Sequence, residues 1–118
     1  MKILIADDDI MMLKTMEFKL KKEGFEVVPA KDGNEALELV KNNSFDLIVT
    51  DIMMPYLTGL ELVDRTRNEL NLKTPIIVLS GVGLEKTVLE AFDLGADDFI
   101  DKPFSPSELV VRIKRLTR

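Results

Sequence analysis

Acidic, hydroxyl and ammonium side chains stand directly after short apolar runs in this chain. Asp7-Asp8-Asp9 follow Lys2-Ile3-Leu4-Ile5-Ala6, and Asp51 follows Leu47-Ile48-Val49-Thr50. Ser80-Gly81 close Ile76-Ile77-Val78-Leu79, and Asp101-Lys102-Pro103 follow Asp98-Phe99-Ile100. Each piece alone has an ordinary reading: Asp9 is placed to cap a helix beginning at Ile10, and a lone Asp or Ser after a strand is commonly a turn residue. Brought together they have a chemistry. Carboxylates ~4 Å apart repel by about 4 kcal/mol at an effective dielectric near 20, and a divalent cation relieves that repulsion. Oxygen ligands select a hard ion, Mg²⁺ or Mn²⁺. A lysine and a hydroxyl beside it suit a ligand rich in anionic oxygen, above all a phosphoryl group, and aspartate is itself a phosphoryl-accepting nucleophile.

Composition narrows the alternatives. The chain has 118 residues, with no Cys and no His. Thiol chemistry, zinc-thiolate sites, Ser-His-Asp triads and histidine general bases are therefore absent from it. The length is that of one domain, expected over residues 1–118, with no second domain in view. The net charge of −5 argues against direct nucleic-acid binding, which depends on cations neutralising phosphates. No apolar run approaches a membrane span and no leader pattern opens the sequence, so a cytoplasmic protein without membrane contact is expected.

The elements that must position these residues alternate. Five apolar runs (the second is Phe25-Glu26-Val27-Val28-Pro29-Ala30) are each followed by an amphipathic stretch. Runs one, three and four are nearly unbroken and β-branched, as strands buried on both faces should be. Helices are expected over Ile10–Lys22 with Leu13, Met16 and Leu20 inward, over Asn34–Lys41, from a Thr58 cap with Glu61 three residues on, over Leu84–Leu94 closed by Gly95, and over Ser107–Leu116. Such alternation gives a parallel sheet covered by helices on both faces, and places all strand carboxyl ends on one edge, where ligands bind. The acids, Ser80 and Lys102 all fall on that edge.

On these residues the sequence resembles the receiver domain of two-component response regulators, in the CheY-like superfamily. The matching segments run in family order: Ile3 to Asp9; Asp46 to Pro55 with Gly59; Val78-Leu79-Ser80-Gly81; and Gly95-Ala96-Asp97-Asp98-Phe99-Ile100-Asp101-Lys102-Pro103-Phe104. The resemblance implies a doubly wound (βα)5 fold, flavodoxin-like, with strand order 2-1-3-4-5. It implies a phosphorylation-dependent switch, not an enzyme turning over an external substrate. Asp51 would accept a phosphoryl group from a partner histidine kinase or histidine phosphotransfer protein, which supplies the histidine this chain lacks. Asp8, Asp51 and the Met53 carbonyl would ligate Mg²⁺, or Mn²⁺, with Asp7 acting mostly through water. Lys102 would pair with Asp51 and then with the phosphoryl oxygens, its bond to Pro103 cis. Ser80 would donate its hydroxyl, and Ser80 with Phe99 would carry the switch to the surface of the fourth helix, fifth strand and fifth helix, read by a downstream effector. Met53 and Val82 occupy positions that tune phosphoryl lifetime in the family, and both are apolar, which implies slow self-hydrolysis.

The last helix is similar to those of receivers that precede winged-helix DNA-binding domains. Asp98, Glu108 and Arg112 match charges those receivers use in a phosphorylation-dependent homodimer, while Val88 and Glu90 stand where basic residues are expected. Competing readings make distinct demands. A haloacid-dehalogenase-like phosphatase needs a second Asp two residues after its nucleophile, where Met53 stands. An FMN binder would set its phosphate against Asp7, Asp8 and Asp9. The stretch Ser80 to Thr87 has Glu85 where a P-loop needs Gly. A pseudo-receiver adaptor would keep the fold without phosphorylation.

Overall fold

The computed structural model describes residues 1–81 and 85–118. Its strands are β1 (Lys2–Ala6), β2 (Glu26–Ala30), β3 (Leu47–Asp51), β4 (Ile76–Ser80) and β5 (Asp98–Asp101). Its helices are α1 (Ile10–Lys22), α2 (Gly33–Asn42), α3 (Gly59–Asp64), α4 (Glu85–Leu94) and α5 (Pro106–Thr117). All strand pairs are parallel, in the order β2-β1-β3-β4-β5. This is the doubly wound arrangement the alternation and the resemblance imply. The expected helix start at Leu84 lies outside the described residues, as does Val82.

Period-2 alternation sorts the strand side chains into two cores. Leu4, Ala6, Ile48, Ile76 and Val78 face one way and bury Leu37, Val40, Leu62, Val63 and Ala91 of α2, α3 and α4. Ile3, Ile5, Leu47, Val49, Ile77, Leu79 and Ile100 face the other and bury Leu13, Met16 and Leu20 of α1 and Leu109, Val110 and Ile113 of α5. Because both faces are covered, β3 and β4 are buried at every residue. Truncating one of these side chains, as in Leu79→Ala, costs about 2–5 kcal/mol through lost transfer energy and the cavity left behind.

Local chemistry sets the helix starts. Asp9 accepts from the Met11 and Met12 amides, Asp32 from Glu35, and Ser105 from Glu108. Thr58 and Glu61 form the reciprocal capping box their spacing predicts. The end of α3 departs from a regular helix. A π-helical turn spans Arg65–Glu69 and buries Thr66. It sends Arg67 across to the α4–β5 loop, where its guanidinium donates to the Gly95 carbonyl (3.0 Å) and the Asp97 carboxylate (2.9 Å), and it also donates to the Leu72 carbonyl (2.9 Å) in the segment before β4. Asp97 in turn accepts from the Ile76 amide at 2.8 Å, so this one arginine ties α3, β4 and β5 together.

On α5, Arg112 bonds Asp98 at 2.8 Å and Glu108 at 3.2 Å, and Arg115 bonds Asp98 at 2.9 Å. The charges that match a symmetric dimer are thus paired within the chain itself.

Candidate functional site

Strand register builds the site. Ala6 lies level with Thr50, and Asp51 level with Leu79, so the residues just past β1, at the end of β3 and at the end of β4 share one edge. Ser80 lies level with Asp101, which brings Lys102 to the same edge. Strand order reverses between β1 and β3, and the crevice beyond their carboxyl ends is where a doubly wound sheet binds ligands.

The side chains converge there. Asp7, Asp8 and Asp51 each offer a carboxylate oxygen within 4.8 Å of the others. Asp7 is fully buried and Asp51 is 6% exposed, while Asp8 opens to solvent. One oxygen of each buried carboxylate is held by backbone. Asp7 Oδ1 accepts from the Asp9 amide and Asp51 Oδ1 from the Ile52 amide, both at 2.9 Å. The other oxygen of each faces Lys102, whose Nζ stands 3.3 Å from both Asp7 Oδ2 and Asp51 Oδ2. The Lys102 amide donates to the Ser80 carbonyl at 2.7 Å, joining the β4 and β5 ends. The Lys102–Pro103 bond is cis, as the resemblance implies. Ser80 is buried, and Phe99 sits half-buried on β5, level with Val78 and against the α2–α4 core.

The electrostatics are those of a crowded acid site. Burial pushes the Asp51 carboxyl above its usual range, against the pull of Lys102 and with a further push from Asp7. The Lys102 ammonium is held above its ordinary value; burial works against its charge, and the Asp51 and Asp7 carboxylates together outweigh that. The Asp51 shift is set first by burial, and the Lys102 shift by the two carboxylates that share its charge. Three acids against one lysine leave an excess of negative charge in an all-oxygen crevice. That donor set fits a hard divalent cation.

The acids, Ser80 and Lys102 expected at the site from sequence are brought to this edge, Met53 is on the loop that leaves it, and Phe99 lies two residues back along β5. Sequence reasoning missed what keeps the site's backbone close. A Cβ on Gly59 would lie 2.0 Å from the Asp51 carbonyl oxygen, and one on Gly33 would lie 1.9 Å from the Leu57 carbonyl oxygen. Gly59 was legible as part of a motif; Gly33 carried no signal, because its partner is distant in sequence.

The sequence matches the response regulator receiver domain family over residues 3–114. The transcriptional regulatory protein SrrA of Staphylococcus aureus is 40% identical over 116 residues, covering 98% of this chain and 47% of SrrA. The chain therefore spans about half the length of the curated relatives it matches. The receiver domain of the Francisella response regulator 1452 superposes with a TM-score of 0.93 at 39% identity, covering 98% of this chain and 95% of that one. The chemotaxis response regulator CheY4 of Vibrio cholerae superposes with a TM-score of 0.91 at 34% identity, covering 98% and 97%. Among the described residues, no helix is long and apolar enough to cross a membrane.

Proposed function

This chain belongs to the response regulator receiver domain family of two-component systems, signalling switches rather than turnover enzymes, and from that premise we propose that Asp51 is the residue that accepts the phosphoryl group. The observation that carries this reading is Lys102, whose ammonium stands 3.3 Å from an oxygen of Asp51 and equally close to Asp7, at the rim of a buried acid crevice.

The Ile52 amide occupies Asp51 Oδ1, leaving Oδ2 as the nucleophile. Oδ2 attacks phosphorus in line; the P–N bond of a phosphohistidine on the donor protein breaks, and its electron pair returns to the imidazole. Asp8, Asp51 and the Met53 carbonyl would hold Mg²⁺ or Mn²⁺, with Asp7 acting through water, and the ion would supply positive charge against the phosphoryl oxygens. Lys102 exchanges one carboxylate partner for a phosphoryl oxygen, and the Ser80 hydroxyl donates to another. Because both residues bind the phosphorylated state better than the free one, the population shifts toward the arrangement in which β4 and β5 close on Asp51. Phe99, two residues before the Ser80–Asp101 level on β5, follows and alters the α4-β5-α5 surface that an effector reads. The same residues admit water to the acyl phosphate, so the chain promotes its own dephosphorylation, and apolar Met53 keeps that step slow. The switch acts in the cytoplasm, over a single domain of residues 1–118.

Incubation with acetyl phosphate and Mg²⁺, followed by intact mass, tests this. A gain of one phosphoryl group, lost in Asp51→Asn and in chelator, is expected. No gain with any divalent cation refutes it, and sustained release of phosphate from a phosphomonoester would favour the phosphatase instead.

A further inference from the structure

The loop between β3 and α3 holds a bulky residue in a conformation that suits glycine. Tyr56 has φ +73°, and the Leu57 amide donates to the Pro55 carbonyl at 2.9 Å across it. That three-residue turn with positive φ is rare and strained, and for a β-carbon-bearing aromatic it is an outlier. The side chain itself gains no bond from the strain: Tyr56 is 79% exposed and makes no side-chain hydrogen bond among the described residues.

The loop around Tyr56 is nonetheless tightly held. Ile52, Met54 and Leu57 are buried in the α2–α4 core, and the Gly59 amide donates to the Ile52 carbonyl at 2.9 Å. The Leu57 carbonyl lies against Gly33, and the Thr58–Glu61 capping box closes the loop onto α3. Between these buried residues Met53, Pro55 and Tyr56 are exposed on a fixed frame. Met53 is 68% exposed. In the segment that follows Asp7 and Asp8, Met11 is 76% exposed at the head of α1, where its amide donates to Asp9. Large exposed side chains therefore lie on both segments that leave the site acids, β1–α1 and β3–α3, while the acceptor carboxylate is almost fully buried.

We propose that Tyr56 is a rigid docking anchor for the phosphodonor protein, its ring meeting an apolar surface that surrounds the donor's phosphohistidine. The inference rests on Asp51 being the acceptor. An imidazole that delivers phosphorus to a carboxylate 6% exposed must enter the crevice, so its carrier has to press on whatever rises around the rim. A tyrosine suits that contact, since a large amphipathic ring with two side-chain torsions loses little freedom on binding, and aromatic anchors dominate interface energetics. Acetyl phosphate enters the crevice without covering the rim, which separates docking from chemistry.

The test compares phosphorylation of the wild-type chain, Tyr56→Gly and Tyr56→Phe by two donors in Mg²⁺ buffer. One donor is acetyl phosphate. The other is an autophosphorylated histidine kinase, chosen as the fastest donor to the wild-type chain in a panel from the same organism. Tyr56→Gly should accept from acetyl phosphate at the wild-type rate, accept from the kinase about tenfold or more slowly, and melt no lower than wild type. Tyr56→Phe should keep most of the kinase rate. Equal loss with both donors, unchanged kinase transfer, or a fall in melting temperature matching the lost rate each overturns the anchor. A wild-type chain that accepts from acetyl phosphate and from no kinase overturns the docking inference alone; one that accepts from neither overturns the assignment of Asp51.

Discussion

Lys102→Met removes the cation of the acid site and keeps most of its volume. Each Nζ–carboxylate contact at 3.3 Å is worth about 5 kcal/mol of gross Coulomb energy at an effective dielectric near 20. Desolvation cancels much of that, and removing one partner of a buried ion pair typically costs about 3–5 kcal/mol. Lys102 is partly exposed, so the lower end applies, about 2–4 kcal/mol, or ~8–16 °C in Tm for a chain of this length. The deficit should also depend on pH with a definite sign. Burial already raises the folded Asp51 pKa above its ordinary value and Lys102 opposes that rise, so the variant raises it further. The folded state then binds the proton more tightly than the unfolded chain. Relative stability is fully present below the unfolded pKa near 3.8 and is lost as pH climbs through the raised folded one. Thermal melts by circular dichroism in chelator, from pH 4.5 to 8, measure this. In an Asp51→Asn background, which removes one of the two contacts, the cost of Lys102→Met should fall by about half. A variant melting within ~3 °C of wild type at pH 7.5, or an unchanged cost in the Asn background, would refute the shared-cation account.

Asp51→Asn alone should melt several degrees higher than wild type at pH 7 without divalent cation, since it removes a buried carboxyl whose folded pKa is raised; the gain should vanish as pH falls toward 3.8, and Mg²⁺ should stabilise the variant less than wild type. Gly59→Ala should lose about 1–3 kcal/mol, because its new Cβ meets the Asp51 backbone and not a yielding side chain, and it should slow labelling by acetyl phosphate through displacement of the acceptor. An unchanged melt and an unchanged labelling rate would show that the backbone there relaxes freely. Arg67→Leu should lower the urea midpoint by the equivalent of about 2–4 kcal/mol, as it strands the Gly95 and Leu72 carbonyls and the Asp97 carboxylate. Arg67→Lys should recover little, since an ammonium cannot span three acceptors set for a planar fork.

Much of this protein follows from near neighbours in sequence. Unbroken β-branched runs identify β1, β3 and β4, because strands covered on both faces have no polar side. Asp9, Thr58 with Glu61, and Gly95 mark helix ends through bonds or backbone conformations that span a few residues. The site residues were legible because a parallel sheet puts every strand's carboxyl end on one edge, so residue type at those ends suffices to propose a cluster. The break in α3 had no such signal. The π-helical turn at Arg65–Glu69 exists alongside the reach of Arg67 to residues some 28 positions away, and helical propensity over Asp64–Asn68 does not encode that.

Residue identity thus determined the fold class and the members of the acid site, since periodicity and strand-end chemistry are local properties. Tertiary structure decided the rest. The sharing of one ammonium between Asp7 and Asp51 depends on register across β1, β3 and β5, which no single segment contains. So does the direction of the Asp51 shift, because burial is a property of the packed chain and competes there with the charge of Lys102. The strained turn at Tyr56 is likewise visible only in three dimensions: Ile52, Met54 and Leu57 sink into a core assembled from distant helices, and the residue between them is forced outward.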